Sequence, residues 1–323
     1  MPSARTVLIT GAAGFIGSHL TRTLLARGDR VIGLDNFDTF YDPAIKHARV
    51  EQLQLLGGDF EIIEGDIRDA ETVKQTYARA IDATIHLAAR AGVRPSIADP
   101  ALYASVNVVG TTVLLEAAKD AHPSGPFLLA SSSSVYGNNE KIPFAESDDV
   151  EAPISPYAAT KRSCELLART YHELFGMPIA CLRYFTVFGP GQRPDLAIAK
   201  FIRLIDAGEP IPMFGDGSTS RDYTYIDDIT TGVLSALDRI GSHGYRIWNL
   251  GSDRPVPLRD MIATIGRIVG KDPVIDQRPI PPGDVDRTFA DLTLARAELG
   301  YEPRTPFEEG VRKQFEAWQA AQT

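Results

Sequence analysis

Tyr157 and Lys161 stand four residues apart behind Ser155-Pro156, and a run of serines, Ser131-Ser132-Ser133-Ser134, precedes them in the chain. On a helix, positions i and i+4 share a face. Ser155 suits an N-cap and Pro156 the first turn, which sets Tyr157 near the positive end of the helix dipole. An ammonium beside a phenol favours its charged form, so Lys161 is expected to draw the Tyr157 pKa toward neutrality. A tyrosine prepared in that way is a general base for an alcohol or sugar hydroxyl. An amphipathic helix whose tyrosine merely packs has the same spacing, so the rest of the chain decides between the two.

The elements around this helix point to a nucleotide site. Thr6-Val7-Leu8-Ile9-Thr10 is a β-branched run of the kind buried in parallel sheets, and it leads directly into Gly11-Ala12-Ala13-Gly14-Phe15-Ile16-Gly17. Ile16, Leu20 and Leu24 then recur at helical spacing, and the next strand, Arg30–Asp35, ends in an acid. Strand, glycine turn, helix, strand and acid are the context a dinucleotide fingerprint requires. The glycines allow close approach of a pyrophosphate, and the carboxylate meets the adenosine ribose. The spacing is Gly-x-x-Gly-x-x-Gly rather than the commoner Gly-x-Gly-x-x-Gly. Asp35 would repel a 2′-phosphate, which favours NAD over NADP.

Further strands are expected at Glu61–Ile67, Thr84–Ala89, Phe127–Ser134 and Ile179–Phe185. Helices are expected from Pro43 onward, from about Leu102 to Lys119, and from Pro156 to about Phe175, with Gly176 as a C-cap. His86, inside an apolar run, reads as a hydrogen-bonded core histidine. The alternation predicts an α/β fold: a Rossmann-like doubly wound parallel sheet with ligands at the carboxyl ends of its strands. After Phe185 the chain turns rich in Gly and Pro, at Gly189–Asp195 and Glu209–Ser220, and Trp248-Asn249-Leu250-Gly251 reads as a return to the main sheet. With the Arg278–Arg287 stretch, those loops suggest a smaller, discontinuous C-terminal substrate-binding lobe. The division is residues 1–185 with about 226–252 for the dinucleotide domain, and about 186–225 with 253–323 for the lobe.

Composition excludes several function classes. The chain has 323 residues, 44% hydrophobic and 23% charged, ordinary values for a globular protein. A net charge of −9 without a compensating Lys/Arg-rich run argues against a nucleic-acid partner. Cys164 and Cys181 are the only cysteines, without metal-ligand spacing, so neither a zinc site nor a disulfide framework is expected. No unbroken apolar run approaches a membrane span, and the first strand begins too early to leave room for a signal peptide; a cytoplasmic protein is expected.

Taken together, Gly11–Gly17, Asp35-Asn36, Gly65-Asp66-Ile67, His86–Ala89, Ser132–Gly137, Tyr157–Lys161, Arg183-Tyr184-Phe185 and Arg221-Asp222-Tyr223 resemble the extended short-chain dehydrogenases/reductases. The resemblance covers essentially the whole chain and points to the nucleotide-sugar epimerase and dehydratase group. It implies that Tyr157 is the base, that Lys161 holds the nicotinamide ribose and lowers the tyrosine pKa, and that Ser132 hydrogen-bonds the reacting hydroxyl. By the same resemblance Gly11, Gly14, Phe15, Ile16 and Gly17 carry the pyrophosphate, and Asp35 and Asn36 the adenosine ribose. Asp66 and Ile67 would meet adenine, while Leu87, Ala88, Ala89, Asn107 and Tyr184 line the cofactor. The implied ligands are NAD and a UDP-sugar, and the family implies a homodimer built on the Leu102–Lys119 and Pro156–Phe175 helices. The stripe Leu166, Leu167, Thr170 and Leu174 could equally be buried on the protein's own sheet.

The residues after Ser132 bear on the reaction. Dehydratases of this group show Thr-Asp-Glu and decarboxylases Thr-Ser-Glu where this chain has Ser132-Ser133-Ser134. Chemistry at C5 needs an extra acid or base, whereas a C4 ketone without one can only be reduced again, from either face. That is 4-epimerisation. Thr186 stands where similar UDP-glucose 4-epimerases have Asn. The run Val187–Asp195, with Phe40-Tyr41-Asp42 through Arg49 and Ala91–Arg94, resembles UDP-glucuronate 4-epimerases. Arg193 would then bind a C5 carboxylate bidentately, keeping the β-keto acid out of the alignment that loses CO₂; the alternative is that it braces its loop or meets the diphosphate. Arg221 and Arg287 would face the UDP, with Arg94 and Ser133-Ser134 as further candidates. UDP-glucose or UDP-N-acetylglucosamine epimerisation, and a catalytically silent NAD-binding regulator, are the competing readings.

Overall fold

The computed structural model describes residues 4–279 and 285–322. The strands of the first half are β1 (Thr6–Thr10), β2 (Arg30–Asp35), β3 (Phe60–Glu64), β4 (Ala83–His86), β5 (Phe127–Ser132) and β6 (Ile179–Tyr184). They are followed by β7 (Thr186–Phe188), β8 (Ile211–Phe214), β9 (Ser220–Tyr225), β10 (Tyr245–Leu250), β11 (Pro255–Pro257) and β12 (Ile275–Arg278). The main sheet has seven strands in the order β10-β6-β5-β4-β1-β2-β3, and all its pairings are parallel. Strand order reverses beside β1, where Thr10 is in register with both Leu34 of β2 and His86 of β4. At such a switch point the connecting helices leave to opposite faces and open a crevice at the strand ends. This is the Rossmann-like α/β sheet the alternation of elements predicts, and β10 joins its edge through Leu250 opposite Tyr184.

The remaining strands form two small sheets at the same end, β11-β9-β7 and β12-β8. β8 lies inside the Gly/Pro-rich segment that the sequence suggests is loop. Its Ile211 is fully buried, and parallel pairing with β12 orders it. Residues 280–284, within the Arg278–Arg287 stretch, lie outside the described residues.

Among the boundaries that differ from the sequence expectation (β4, for one, stops at His86, short of Ala89), three have a visible cause. β3 stops at Glu64, because Asp66 and Asp69 turn the chain: Asp66 accepts the amide of Arg68, and Asp69 those of Glu71 and Thr72. β5 stops at Ser132, whose Oγ accepts the Ser134 amide at 3.1 Å and starts a short 3₁₀ turn. Finally, the expected Leu102–Lys119 helix runs from Pro100 to Ala121, with one wide π-turn at Ala104–Val109. The stretch has 22 residues and contains an 18-residue window of mean hydropathy 1.4, so it is long and apolar enough, by length and composition, to cross a membrane. A search for an unbroken apolar run misses it because Asn107, Thr111 and Thr112 interrupt it. In the fold Asn107, Thr111, Leu114, Leu115 and Ala118 form its buried face, as in a core helix.

The helix Pro156–Phe175 follows its sequence signals closely. Ser155 Oγ accepts the Ala158 amide at 3.1 Å, Pro156 opens the first turn, and Gly176 ends it at φ 69°. Lys161, Cys164, Glu165, Ala168 and Tyr171 are buried, while Leu166 and Leu174 are exposed and Leu167 packs against the core. Glu165, fully buried, takes a two-pronged bond from Arg183 of β6 (2.8 and 2.9 Å) and a third from Ser131 Oγ of β5 (2.6 Å). The helix is thereby fixed to β6 and to β5, the strand that ends at the serines.

Candidate active site

Residues at the ends of β1 to β6 and in the β11-β9-β7 sheet line one open cavity of about 480 Å³. At its floor the chain leaves β1 at Gly11 (φ +73°), where a Cβ would stand 3.0 Å from the Ala88 amide nitrogen. A Cβ on Gly17 would stand 2.2 Å from the Gly11 carbonyl oxygen, so the first helical turn lies directly on the strand-end turn. Gly14 caps that helix without a side chain, which leaves the amides of Phe15, Ile16 and Gly17 unpaired within it and facing the cavity. Backbone amides at a helix N-terminus, without a side chain in the way, fit a pyrophosphate.

Asp35, at the end of β2, is buried beside this cradle. Its carboxylate accepts the amides of Ala13 (3.1 Å) and Phe37 (2.9 Å) and stands 3.4 Å from the Lys46 ammonium. The acid therefore sets the shape of the glycine turn as well as its charge. Asn36, Asp66 and Ile67 line the same end; Arg68 grips Asp66 with two nitrogens and holds its carboxylate below the usual range. Leu87, Ala88, Ala89 and Tyr184 complete the wall with small or flat side chains. The Tyr184 hydroxyl is buried and has no hydrogen-bond partner among the described residues.

The reactive cluster sits opposite. Ser132, Ser133, Ser134, Tyr157 and Lys161 all border the cavity. Ser132 Oγ accepts both the amide and the hydroxyl of Ser134, at 3.1 and 2.9 Å, so its own proton is free for a ligand oxygen. The Lys161 ammonium donates to the Ala130 carbonyl at 2.8 Å and lies 5.9 Å from the Tyr157 ring centroid. Tyr157 is steadied by Ser96 Oγ on its amide (3.1 Å) and by the edge of Tyr103. His86, by contrast, is a core residue as expected: Thr10 and Thr111 bond its two nitrogens, and burial, then Lys161, lowers its pKa to about 3.

Of five further residues predicted to line the ligands, two border the cavity and three take different places. Thr186 and Arg221 border the cavity. Arg287 reaches the Glu140 carbonyl at 3.0 Å, and its neighbours Val285 and Thr288 line the cavity instead. Arg94 stacks on Phe214, 4.4 Å from its centroid, and Arg90 takes the cavity wall. Asn107 lies behind that wall. Its amide brackets the Arg90 backbone at 2.8 and 3.1 Å and donates to Thr160 Oγ1, which bonds the Tyr157 carbonyl.

Resemblance singled out Phe40-Tyr41-Asp42 through Arg49 and the Val187–Asp195 run, but not the contacts that join them. Asp38 accepts the Arg90 guanidinium at 2.7 Å, and the Phe40 ring lies 5.2 Å from the Arg90 and 5.0 Å from the Arg193 guanidinium carbons. Arg49 donates to the Ala13 carbonyl, the Tyr41 hydroxyl and the Gly191 carbonyl, at 3.1, 3.0 and 2.7 Å. His19 meets the Pro190 carbonyl at 2.9 Å. The loop carrying Arg193 is thus fastened to the glycine cradle, and Arg193 itself faces the cavity with its fork on Asp195.

Residues 8–314 match the family described as GDP-mannose 4,6 dehydratase. UDP-glucuronate 4-epimerase 5 of Arabidopsis thaliana is 43% identical over 329 residues, covering 97% of this chain and 75% of that protein. A probable UDP-glucuronate 4-epimerase of Rhizobium meliloti is 40% identical, covering 96% of each chain. The crystal structure of UDP-glucuronic acid 4-epimerase from Bacillus cereus with UDP-glucuronic acid and NAD is 36% identical, with a TM-score of 0.90 over 98% of this chain and 99% of that one. Likeness on this scale, in sequence and in backbone, makes the chain a member of that family of extended short-chain dehydrogenases/reductases.

Proposed function

We propose that the chain is an NAD-dependent UDP-sugar 4-epimerase that interconverts UDP-glucuronate and UDP-galacturonate. The observation that carries the reaction type is the surroundings of Tyr157, Lys161 and Ser132. The acids among the described residues lining the cavity, Asp35, Asp38 and Asp66, come from the ends of β2 and β3 and the loop after β2, and none from the serine run. Without an acid or base for C5 elimination is closed, and with the carboxylate held out of the alignment that loses CO₂ a C4 ketone has only reduction open to it. The relatives and the Bacillus cereus complex support UDP-glucuronate and NAD as the ligands.

In this reading the Gly11–Gly17 cradle would hold NAD, which would supply the acceptor and donor for the C4 hydride. Tyr157 removes the proton of the C4 hydroxyl, and Ser132 donates a hydrogen bond from its O–H to the same oxygen, keeping its own proton. Lys161, anchored on Ala130, places a positive charge beside the phenol and within reach of the nicotinamide ribose. The ketone is reduced on its other face, and Tyr157 returns the proton. Arg193 and Thr186 hold the C5 carboxylate, and Arg221 meets the UDP.

The division into a dinucleotide domain (residues 1–185 with about 226–252) and a sugar lobe (about 186–225 with 253–323) goes with this reading. So does a homodimer through the two long helices, supported by the exposed Val109, Leu166 and Leu174; light scattering that gives a monomer at micromolar concentration rejects it.

The test is product analysis by NMR after incubation without added NAD, separately with UDP-glucuronate, UDP-glucose and UDP-N-acetylglucosamine. Conversion of UDP-glucuronate to UDP-galacturonate is expected. A pentose product would overturn the reaction type, and conversion only of a neutral sugar would overturn the substrate.

A further inference from the structure

Arg193 already holds a carboxylate. Its Nε and Nη2 donate to the two oxygens of Asp195 at 3.0 and 2.7 Å, the paired geometry in which a guanidinium binds any carboxylate. The two partners differ in freedom. The Arg193 side chain is 16% exposed and the Asp195 side chain 43%. Arg193 leans on the Phe40 ring, and its loop is pinned at Pro190 by His19 and at Gly191 by Arg49. Gln192, just before it, bonds the Val187 carbonyl, the Ala199 amide and Gln314. Asp195 is half-exposed, and its carboxylate can return to water at little cost, as in other half-exposed ion pairs.

We infer that Asp195 is a specificity-determining residue: an internal carboxylate that occupies the Arg193 fork until the uronate carboxylate of the substrate displaces it. This rests on the reading of Arg193 as the group that binds the C5 carboxylate. The exchange swaps one carboxylate for another. The guanidinium, shielded from water, is never left without a counter-charge, and the charge at the fork is the same before and after binding. A neutral hexose has nothing to offer the fork and leaves the pair closed. The competition weakens uronate binding by what the Arg193–Asp195 pair contributes, and in return the fork is held flat and oriented for its ligand. Asp195 therefore sets how tightly a uronate binds without touching the sugar's reacting carbon.

The experiment compares the intact holoenzyme with its Asp195→Asn, Asp195→Ala and Asp195→Glu variants. KM is measured for UDP-glucuronate, the KM or inhibition constant for UDP-glucose, and the inhibition constant for UDP alone. Loss of the competing charge should lower KM for UDP-glucuronate about two- to five-fold, the range of a half-exposed ion pair. UDP-glucose and UDP constants should stay as they were, and Asp195→Glu, which keeps the charge, should resemble the parent. Equal tightening toward all three ligands would overturn the inference in favour of a general charge effect. An unchanged KM would also overturn it, as would a raised KM with a lower kcat, the mark of a residue that only steadies Arg193. Arg193→Leu in the same series tests the underlying reading separately. Equal losses on UDP-glucuronate and UDP-glucose would remove the carboxylate role of Arg193 itself. A loss confined to UDP-glucuronate, with Asp195 variants inert, would remove only the role of Asp195.

Discussion

Lys161 spends a hydrogen bond on the Ala130 carbonyl of β5 at 2.8 Å while its ammonium stands 5.9 Å from the centre of the Tyr157 ring. The charge that serves the tyrosine is therefore positioned by the strand that carries the serines, not by the tyrosine itself. One helical turn joins the two side chains, and one backbone carbonyl sets the distance between them.

Tyr157→Phe removes the proton-transfer group and leaves this framework intact. Turnover of UDP-glucuronate should fall by about 10²- to 10⁴-fold, the usual contribution of a positioned acid or base. NAD released on denaturing the purified protein should match the parent. Normal turnover by the variant would show that another group carries the proton.

Gly17→Ala places a methyl 2.2 Å from the Gly11 carbonyl oxygen, a backbone atom that cannot step aside without moving the cradle. A stability loss of about 1–3 kcal/mol in urea denaturation is expected from the overpacking. Retention of NAD through gel filtration should fall as well. A variant that keeps both would mean that the first helical turn is looser than the geometry shows.

The buried Glu165–Arg183 pair makes a sharper stability prediction. Arg183→Met leaves the Glu165 carboxylate at the sheet face with only Ser131 and the 3.3 Å contact of Arg162. The cost should be about 3–5 kcal/mol by equilibrium denaturation. A loss under about 1 kcal/mol would mean that Arg162 takes over the charge, as at an exposed pair.

His86 supplies an acid-side prediction. Burial, reinforced by the Lys161 charge, lowers its pKa to about 3 from the ordinary 6.5. Between those values the unfolded chain binds a proton that the folded chain refuses, so this residue's contribution to stability shrinks as pH falls from 6.5 toward 3. The slope approaches about 1.4 kcal/mol per pH unit in the middle of that window. His86→Gln, which keeps hydrogen-bonding capacity toward Thr10 and Thr111, should flatten the fall in melting temperature between pH 6.5 and pH 4.5. An unaltered slope would assign that fall to other groups.

Periodicity and glycine spacing made the parts of the site built from neighbours in sequence legible. Gly11 to Gly17, Asp35 and the Tyr157–Lys161 turn each follow from local geometry, and the cavity holds all of them. What local pattern could not show is which of two arginines near Gly92 turns inward. That is decided where Gly92, at φ +109°, starts a helix that carries Arg94 away to Phe214 and leaves Arg90 on the wall. Asn107 was found by resemblance but in another role, because its partners Arg90 and Thr160 come from other elements. The limits of β5 and of the Pro100–Ala121 helix escaped for the same reason. A side-chain bond at Ser132 and burial of Asn107 and Thr111 override what composition suggests.

Arg49 binds residues 13, 41 and 191 at once, three points the chain visits far apart. For anyone seeking to retarget the enzyme, this makes the loop at 189–195 a poor module for transplantation by itself. A loop grafted from a relative with another sugar preference would arrive without the arginine it leans on, or would leave that arginine's charge buried and unanswered. The unit that can be exchanged is the loop with residues 36–49, and swaps that respect this joint should keep the cofactor while changing the sugar.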